Sequence, residues 1–166
     1  VDISDYISYQ EPYSEDLLND NTLSCCWDIE TYSESGALPE PEVQSDCIIC
    51  LGLTLQWCTS TKPFLQICIS QYEVSEPKKE GIIYIVCEDE EQILKGFARI
   101  LEKFKPEFIC GFNDSDYDWK WVVRRAEKYG LLEYFAERLS IHKPYNGYTS
   151  DNILQFYYRI EEIKLE

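Results

Sequence analysis

The chain has 166 residues, 45% hydrophobic and 14% aromatic, enough for one domain with a real core and too apolar for wholesale disorder. Its 31 Asp and Glu against 15 Lys and Arg leave a net charge of −16, the opposite of what a protein that grips nucleic acid through its phosphates carries. That balance excludes autonomous, tight DNA binding; it suits either a domain that offers carboxylates to metal ions or a merely soluble acidic surface.

The chain begins at Val1 and contains no Met, so it is expected to be part of a longer protein. No basic-plus-apolar leader opens it and no run of about 18 apolar residues could span a bilayer, so a soluble intracellular protein is expected. The segment 1–20 holds six acidic residues and no Lys or Arg, and reads as an acidic lead-in. Four strand candidates follow: Leu23 to Ile29, Cys47 to Trp57, Phe64 to Ser70 and Ile82 to Val86, joined by linkers containing Gly36, Pro39, Pro41, Pro63 and Gly81.

The period then changes. Ile93, Leu94, Phe97, Ile100, Leu101 and Phe104 make one apolar helical face, with acids at Glu88 to Glu91, Lys103 and Lys105 near the end, and Pro106 as the stop. Phe108 to Gly111 reads as a short buried strand. A helix from about Tyr117 to Tyr129 carries Trp119, Val122, Val123 and Ala126 and stops at Gly130; Leu131 to Leu139 is a third helical piece. Beyond Ser140 the pattern fades, although Leu154 to Ile160 has strand character. The domain core is therefore set at residues 21–139, with 140–166 a C-terminal continuation. Strands in series followed by helix, strand and helix give an α/β class, a mixed sheet that fits the ribonuclease H-like fold among others.

Eight cysteines raise zinc or disulfides. The one CxxC, Cys47 to Cys50, lies within a strand where i and i+3 point to opposite faces, and His142 is the sole histidine, so buried free thiols in a reducing compartment are expected.

Two groups of carboxylates carry the chemistry. Asp28 and Glu30, in Trp27-Asp28-Ile29-Glu30-Thr31, share one face of a strand. Like charges so placed repel unless neutralised, either by a divalent cation or by water at a wet strand edge. The second group, Gly111-Phe112-Asn113-Asp114-Ser115-Asp116-Tyr117-Asp118, lies between a strand and a helix, where α/β proteins place their sites and where helix caps also gather. A calcium loop of the EF-hand type is excluded, because its sixth position holds Trp119 and its twelfth Arg125. Lys120, Arg124, Arg125 and Lys128 offer a small basic group for phosphates, or simply favour the negative end of their helix.

Asp28-Ile29-Glu30-Thr31 resembles the first exonuclease motif of family B DNA polymerases. The stretch Lys105-Pro106-Glu107-Phe108-Ile109-Cys110-Gly111-Phe112-Asn113, continuing to Tyr117-Asp118, resembles the second, with Tyr117 where Phe is commoner and Lys120 where Pro is frequent. Order, spacing and the intervening helix also match, so the resemblance covers about Leu23 to Leu139. It implies a 3′→5′ proofreading exonuclease domain of a DNA-directed DNA polymerase acting in replication. Two Mg²⁺ or Mn²⁺ ions, about 3.5–4 Å apart, would promote phosphodiester hydrolysis. Asp28, Glu30 and Asp118 would be the catalytic metal ligands, and Thr31, Asn113 and Tyr117 would support the site or touch substrate. Implied partners are the single-stranded 3′ end of DNA, the remaining polymerase domains and accessory subunits. The implied location is the nucleus for a cellular parent, and the nucleus or a cytoplasmic replication site for a viral one. The family's third motif, a Tyr with an Asp four residues later, is not assigned: Tyr148-Thr149-Ser150-Asp151 is one residue short. A non-catalytic module that keeps the fold, and a stand-alone nuclease, are the alternatives.

Overall fold

A computed structural model describes residues 21–75, 78–141, 147–151 and 153. The expected lead-in at 1–20 and the strand at Leu154 to Ile160 lie outside them. Five strands form one sheet: β1 (Leu23–Tyr32), β2 (Cys47–Trp57), β3 (Leu65–Ser70), β4 (Ile82–Val86) and β5 (Phe108–Cys110), in the order β4-β3-β2-β1-β5. β1, β2 and β3 pair antiparallel, β4 runs parallel to β3, and β5 parallel to β1. The expected mixed sheet is thus formed, of the ribonuclease H-like kind.

Three helices pack on it: α1 (Glu90–Phe104), α2 (Asp118–Lys128) and α3 (Leu132–Arg138). Local chemistry sets their ends. The Asp89 carboxylate caps α1 by accepting from the Gln92 N–H at 2.8 Å, and Lys105, in the left-handed region at φ 46°, closes it ahead of Pro106. The helices cover the sheet face formed by Cys25, Trp27, Ile29, Leu51, Leu53, Leu55, Ile67 and Ile69, all buried. At its centre Trp27 stacks on Phe97 at 4.8 Å and meets Trp119 at 4.6 Å. The opposite face of β1 carries exposed residues: Cys26, Asp28 and Glu30.

Several expectations are corrected. β1 runs on to Tyr32 rather than stopping at Ile29, because Glu30 and Thr31 continue to pair with β2, opposite Cys50 and Ile48. That pairing skips Ile49, a bulge that turns the strand's facing by one residue. Cys47, opposite Tyr32, and Cys50, opposite Glu30, therefore share a face despite their i, i+3 spacing. Nor is the strand at Phe108–Cys110 buried, since Phe108 and Cys110 are exposed at the sheet edge, and the thiols are not mostly buried either. All eight are free, but only Cys25 and Cys87 are buried, while Cys26, Cys58 and Cys110 are exposed.

A buried polar network ties the β1–β2 loop to the helices. The Arg125 guanidinium donates to both Glu90 carboxylate oxygens (Nε at 2.9 Å to each, Nη2 at 2.5 Å to Oε2) and reaches the Val43 carbonyl at 3.3 Å. Glu90 also accepts from the Ile48 N–H and the Tyr129 hydroxyl, each at 2.8 Å. With burial and the adjoining Glu90 charge, the Tyr129 hydroxyl is pushed up to about 12.

Candidate active site

β1 places Asp28 and Glu30 on the open face because Trp27 and Ile29, between and beside them, are drawn under the helices. Gly52 stands opposite Asp28 in the register, so no side chain fills the space across the ladder. A shallow cavity of about 370 Å³ opens there, bordered by Cys26, Asp28, Gly52, Thr54, Gln66 and Cys68.

The second group is fastened to the edge of β1. Gly111 ends β5 so tightly against that strand that a methyl group there would lie 2.8 Å from the Trp27 carbonyl oxygen and 2.9 Å from Asp114 Cβ. Only glycine permits this approach. Asn113 then takes the left-handed conformation (φ 58°), which Asn tolerates better than most residues, and its carbonyl accepts from the Tyr117 N–H at 3.2 Å. The Asp114 carboxylate accepts from the Trp27 indole N–H at 3.3 Å, and its carbonyl from the Trp119 N–H at 2.8 Å. These bonds turn the chain into α2, whose first residue is Asp118.

β5 ends at Cys110, opposite Cys26, so beyond that point β1 has a free edge. Asp118 takes the place of the missing strand: its Oδ1 accepts the Ile29 N–H at 3.2 Å, between Asp28 and Glu30 in sequence. Next along the edge, the Thr31 and Tyr117 hydroxyls bond at 2.8 Å. The two sequence segments are thereby joined at one place.

Asp118 is 2% exposed. Burial raises its carboxyl to about 6, the Ile29 hydrogen bond opposes the rise, and the charges of Asp28 and, less, Asp114 add to it. Oxygen donors short of positive charge suit Mg²⁺ or Mn²⁺. The donor chemistry fits, but the ligand set is not drawn together: among the described residues no three His, Cys, Asp or Glu side chains are grouped to hold a metal ion. Asp118 has turned one oxygen to the β1 backbone, whereas Asp28 and Glu30 point into solvent.

Of the four basic residues read as possible phosphate contacts, three are engaged. Arg125 is buried on Glu90, Arg124 bonds Ser150 and Asp151 (2.7 Å to the Asp151 carboxylate), and Lys128 reaches the Gln44 carbonyl at 3.5 Å. Lys120 is exposed. The near-motif at Tyr148 to Asp151 has structural work instead: Tyr148 donates to the Ile141 carbonyl at 3.0 Å, and Ser150 and Asp151 hold Arg124. Sequence reasoning missed the Glu90–Arg125 pair and the part played by Asp114. The first had a signal, since Glu90 and Arg125 each fall on the buried stripe of their own helix.

No described helix is long and apolar enough to cross a membrane. The family model for the exonuclease domain of DNA polymerase family B matches residues 2–152. The chain is 33% identical over 155 residues to the protein named DNA polymerase beta of African swine fever virus (isolate Tick/Malawi/Lil 20-1/1983), covering 93% of this chain and 12% of that one. It is 30% identical over 132 residues to the DNA polymerase of Acanthamoeba polyphaga mimivirus, 78% of this chain and 7% of that protein. With the DNA polymerase of Archaeoglobus fulgidus it shares 27% over 74 residues, 38% of this chain and 10% of the other. The chain thus spans about an eighth of the length of the African swine fever virus relatives. Motifs, sheet order and matched span agree: the chain belongs to the exonuclease domain of family B DNA polymerases.

Proposed function

We propose that this chain is the proofreading part of a replicative DNA polymerase, hydrolysing the terminal phosphodiester at a DNA 3′ end. The observation that carries the reading is the Asp118–Ile29 hydrogen bond, which seats the carboxylate of the second segment on the β1 backbone at the residue between Asp28 and Glu30. Mg²⁺ or Mn²⁺ ions held by Asp28, Glu30 and Asp118 would activate water and offset charge at the scissile phosphate. The chain's own groups do the rest. Asp28 and Glu30 present oxygens on an open face that a strand can reach, and Asp118 supplies a buried oxygen whose position the β1 backbone fixes. The Thr31 and Tyr117 hydroxyls, each able to donate and accept, stand where a terminal nucleotide would be held, with the exposed Asn113 beside them. The single-stranded 3′ end is the proposed substrate, and other polymerase domains and accessory subunits of the parent chain are the proposed partners. The ungrouped ligand set favours a second reading, a module that keeps the fold without hydrolysis.

A Mn²⁺ titration separates these. The wild-type chain should bind Mn²⁺ saturably by calorimetry, and Asp28→Asn and Asp118→Asn should each weaken binding at least about tenfold, roughly the 1.4 kcal/mol of one charge-assisted contact. Equal binding by wild type and a variant carrying both changes would overturn the metal-site assignment.

A further inference from the structure

The open sheet face holds a pair of thiols that the proposed hydrolysis does not use. Cys26 on β1 and Cys110 on β5 are register partners, both exposed, with their sulfurs 3.3 Å apart. Adjacent strands lie about 4.7–4.9 Å apart, within the roughly 4.4–6.8 Å that a disulfide spans between Cα atoms. The Cβ atoms of such a pair must close by about 1 Å to reach the usual disulfide separation. β5 can supply that movement, because it is a three-residue strand that among the described residues pairs only with β1.

A second sulfur pair shows what the register demands. The Cys50 and Cys68 sulfurs lie 3.5 Å apart, but Cys50 is opposite Ser70 and Cys68 is opposite Gly52. That is a diagonal relation, about 7–8 Å between Cα atoms, between two interior strands that cannot approach without disturbing the sheet. Proximity of sulfurs alone does not make a bridge; the register and the mobility of the edge do.

We propose that Cys26 and Cys110 form a reversible disulfide when the protein meets a hydroperoxide, stapling β5 to β1 beside the candidate active site. The step balances with the peroxide as the two-electron oxidant. The O–O bond breaks as one oxygen joins Cys26 Sγ, and the other leaves with the thiol proton as water, or as an alcohol from an organic hydroperoxide, giving a sulfenic acid. Cys110 Sγ then attacks Cys26 Sγ; the S–S bond forms, the S–O bond breaks, and the hydroxyl leaves as water with the Cys110 proton. Exposure admits both the oxidant and the thiol that later reduces the bond, and the strain of closing the strands favours that reduction. The staple acts on the site through Gly111, which follows Cys110 and has no slack against the Trp27 carbonyl. The inference is independent of whether the chain hydrolyses DNA.

The test uses the 166-residue chain, fully reduced and then exposed to stoichiometric hydrogen peroxide. Thiol counts in denaturant should fall from eight to six, and dithiothreitol should restore eight. Peptide mapping after alkylation should find the Cys26 and Cys110 peptides joined within one monomer. Cys26→Ser and Cys110→Ser, both at exposed positions, should each abolish the bridge, whereas Cys50→Ser with Cys68→Ser should leave it intact. Oxidation of Cys26 or Cys110 to separate acids, a bridge to any other cysteine, a bridge between two chains, or no loss of thiols at these positions would each overturn the proposal.

Discussion

Asp118 combines burial, a backbone hydrogen bond and a neighbouring like charge, and its raised carboxyl has a consequence for stability. A carboxyl whose folded pKa lies above the unfolded one stabilises the fold in acid; that contribution fades as pH rises from 3.8 through about 6. Asn at this position keeps an oxygen for the Ile29 N–H and removes the charge. Asp118→Asn should gain on wild type in urea melts as pH rises, with a larger margin at pH 8 than at pH 5, which lies inside that window and above the pI of about 4.4. The shift sets a ceiling near 3 kcal/mol, lowered because Asp28 is exposed and its field is screened. Parallel stability curves across that range would mean that Asp118 is ionised at no cost in the fold. A different burden falls on Arg125, which is as buried as its partner Glu90. Arg125→Met should destabilise the chain by about 3–5 kcal/mol, because it strands the Glu90 charge and frees the Val43 carbonyl. Adding Glu90→Gln should recover part of that loss by removing the charge. Urea melts of the two variants check both figures, and a single variant within about 0.5 kcal/mol of wild type would remove the pair from the fold's supports.

At the scale of elements, the candidate site takes its shape because a short strand stops early. β5 ends at Cys110, the chain turns at Gly111, and α2 delivers Asp118 to the edge that β5 leaves free. Gly111→Ala should therefore push the turn off β1. It should weaken Mn²⁺ binding and cost more than about 2 kcal/mol, since the blocking atom is backbone and cannot rotate away. Phe112→Ser, one residue on, should cost within about 0.5 kcal/mol, because that ring is 95% exposed. If Gly111→Ala melts and binds like wild type, the close approach is not required. The same elements show what could be read in advance. β2 and β4 have the expected limits because their apolar runs end at turn formers, and α1 and α2 have sharp apolar stripes that strand patterns do not imitate. The bulge at Ile49 left no trace, since a continuous apolar run shows no alternation to break, and so the facing of Cys47 and Cys50 was misjudged. Asp28, Glu30 and Asp118 were legible as types at a spacing. The hydrogen bond that seats Asp118 was not, because it depends on where β5 stops pairing.

For the molecule as a whole, the candidate ligands and the net charge set the rate that this chain can reach by itself. A charge of −16 repels a polyanion, and three of the four basic residues read as possible phosphate contacts are held by other parts of the fold. Of those four, Lys120 alone is left for a single strand, which would otherwise rest on stacking. Two-metal hydrolysis also requires the reacting oxygen and phosphorus to be placed closely, and a displacement of about 1 Å can lower the rate by about 10²-fold. Among the described residues the carboxylates are not gathered to that standard. The 166-residue chain should therefore bind a 5′-labelled single-stranded oligonucleotide weakly, more weakly still as salt rises, and shorten it slowly or not at all in Mn²⁺. An Asp28→Ala control identifies any shortening that belongs to the site. On the proposed function, a chain that joins these residues to polymerase domains should degrade the oligonucleotide readily and lose that activity on the same substitution. Efficient 3′→5′ shortening by the 166 residues, absent in the control, would show that the carboxylates close around their ions unaided and that neighbouring domains contribute little to the chemistry.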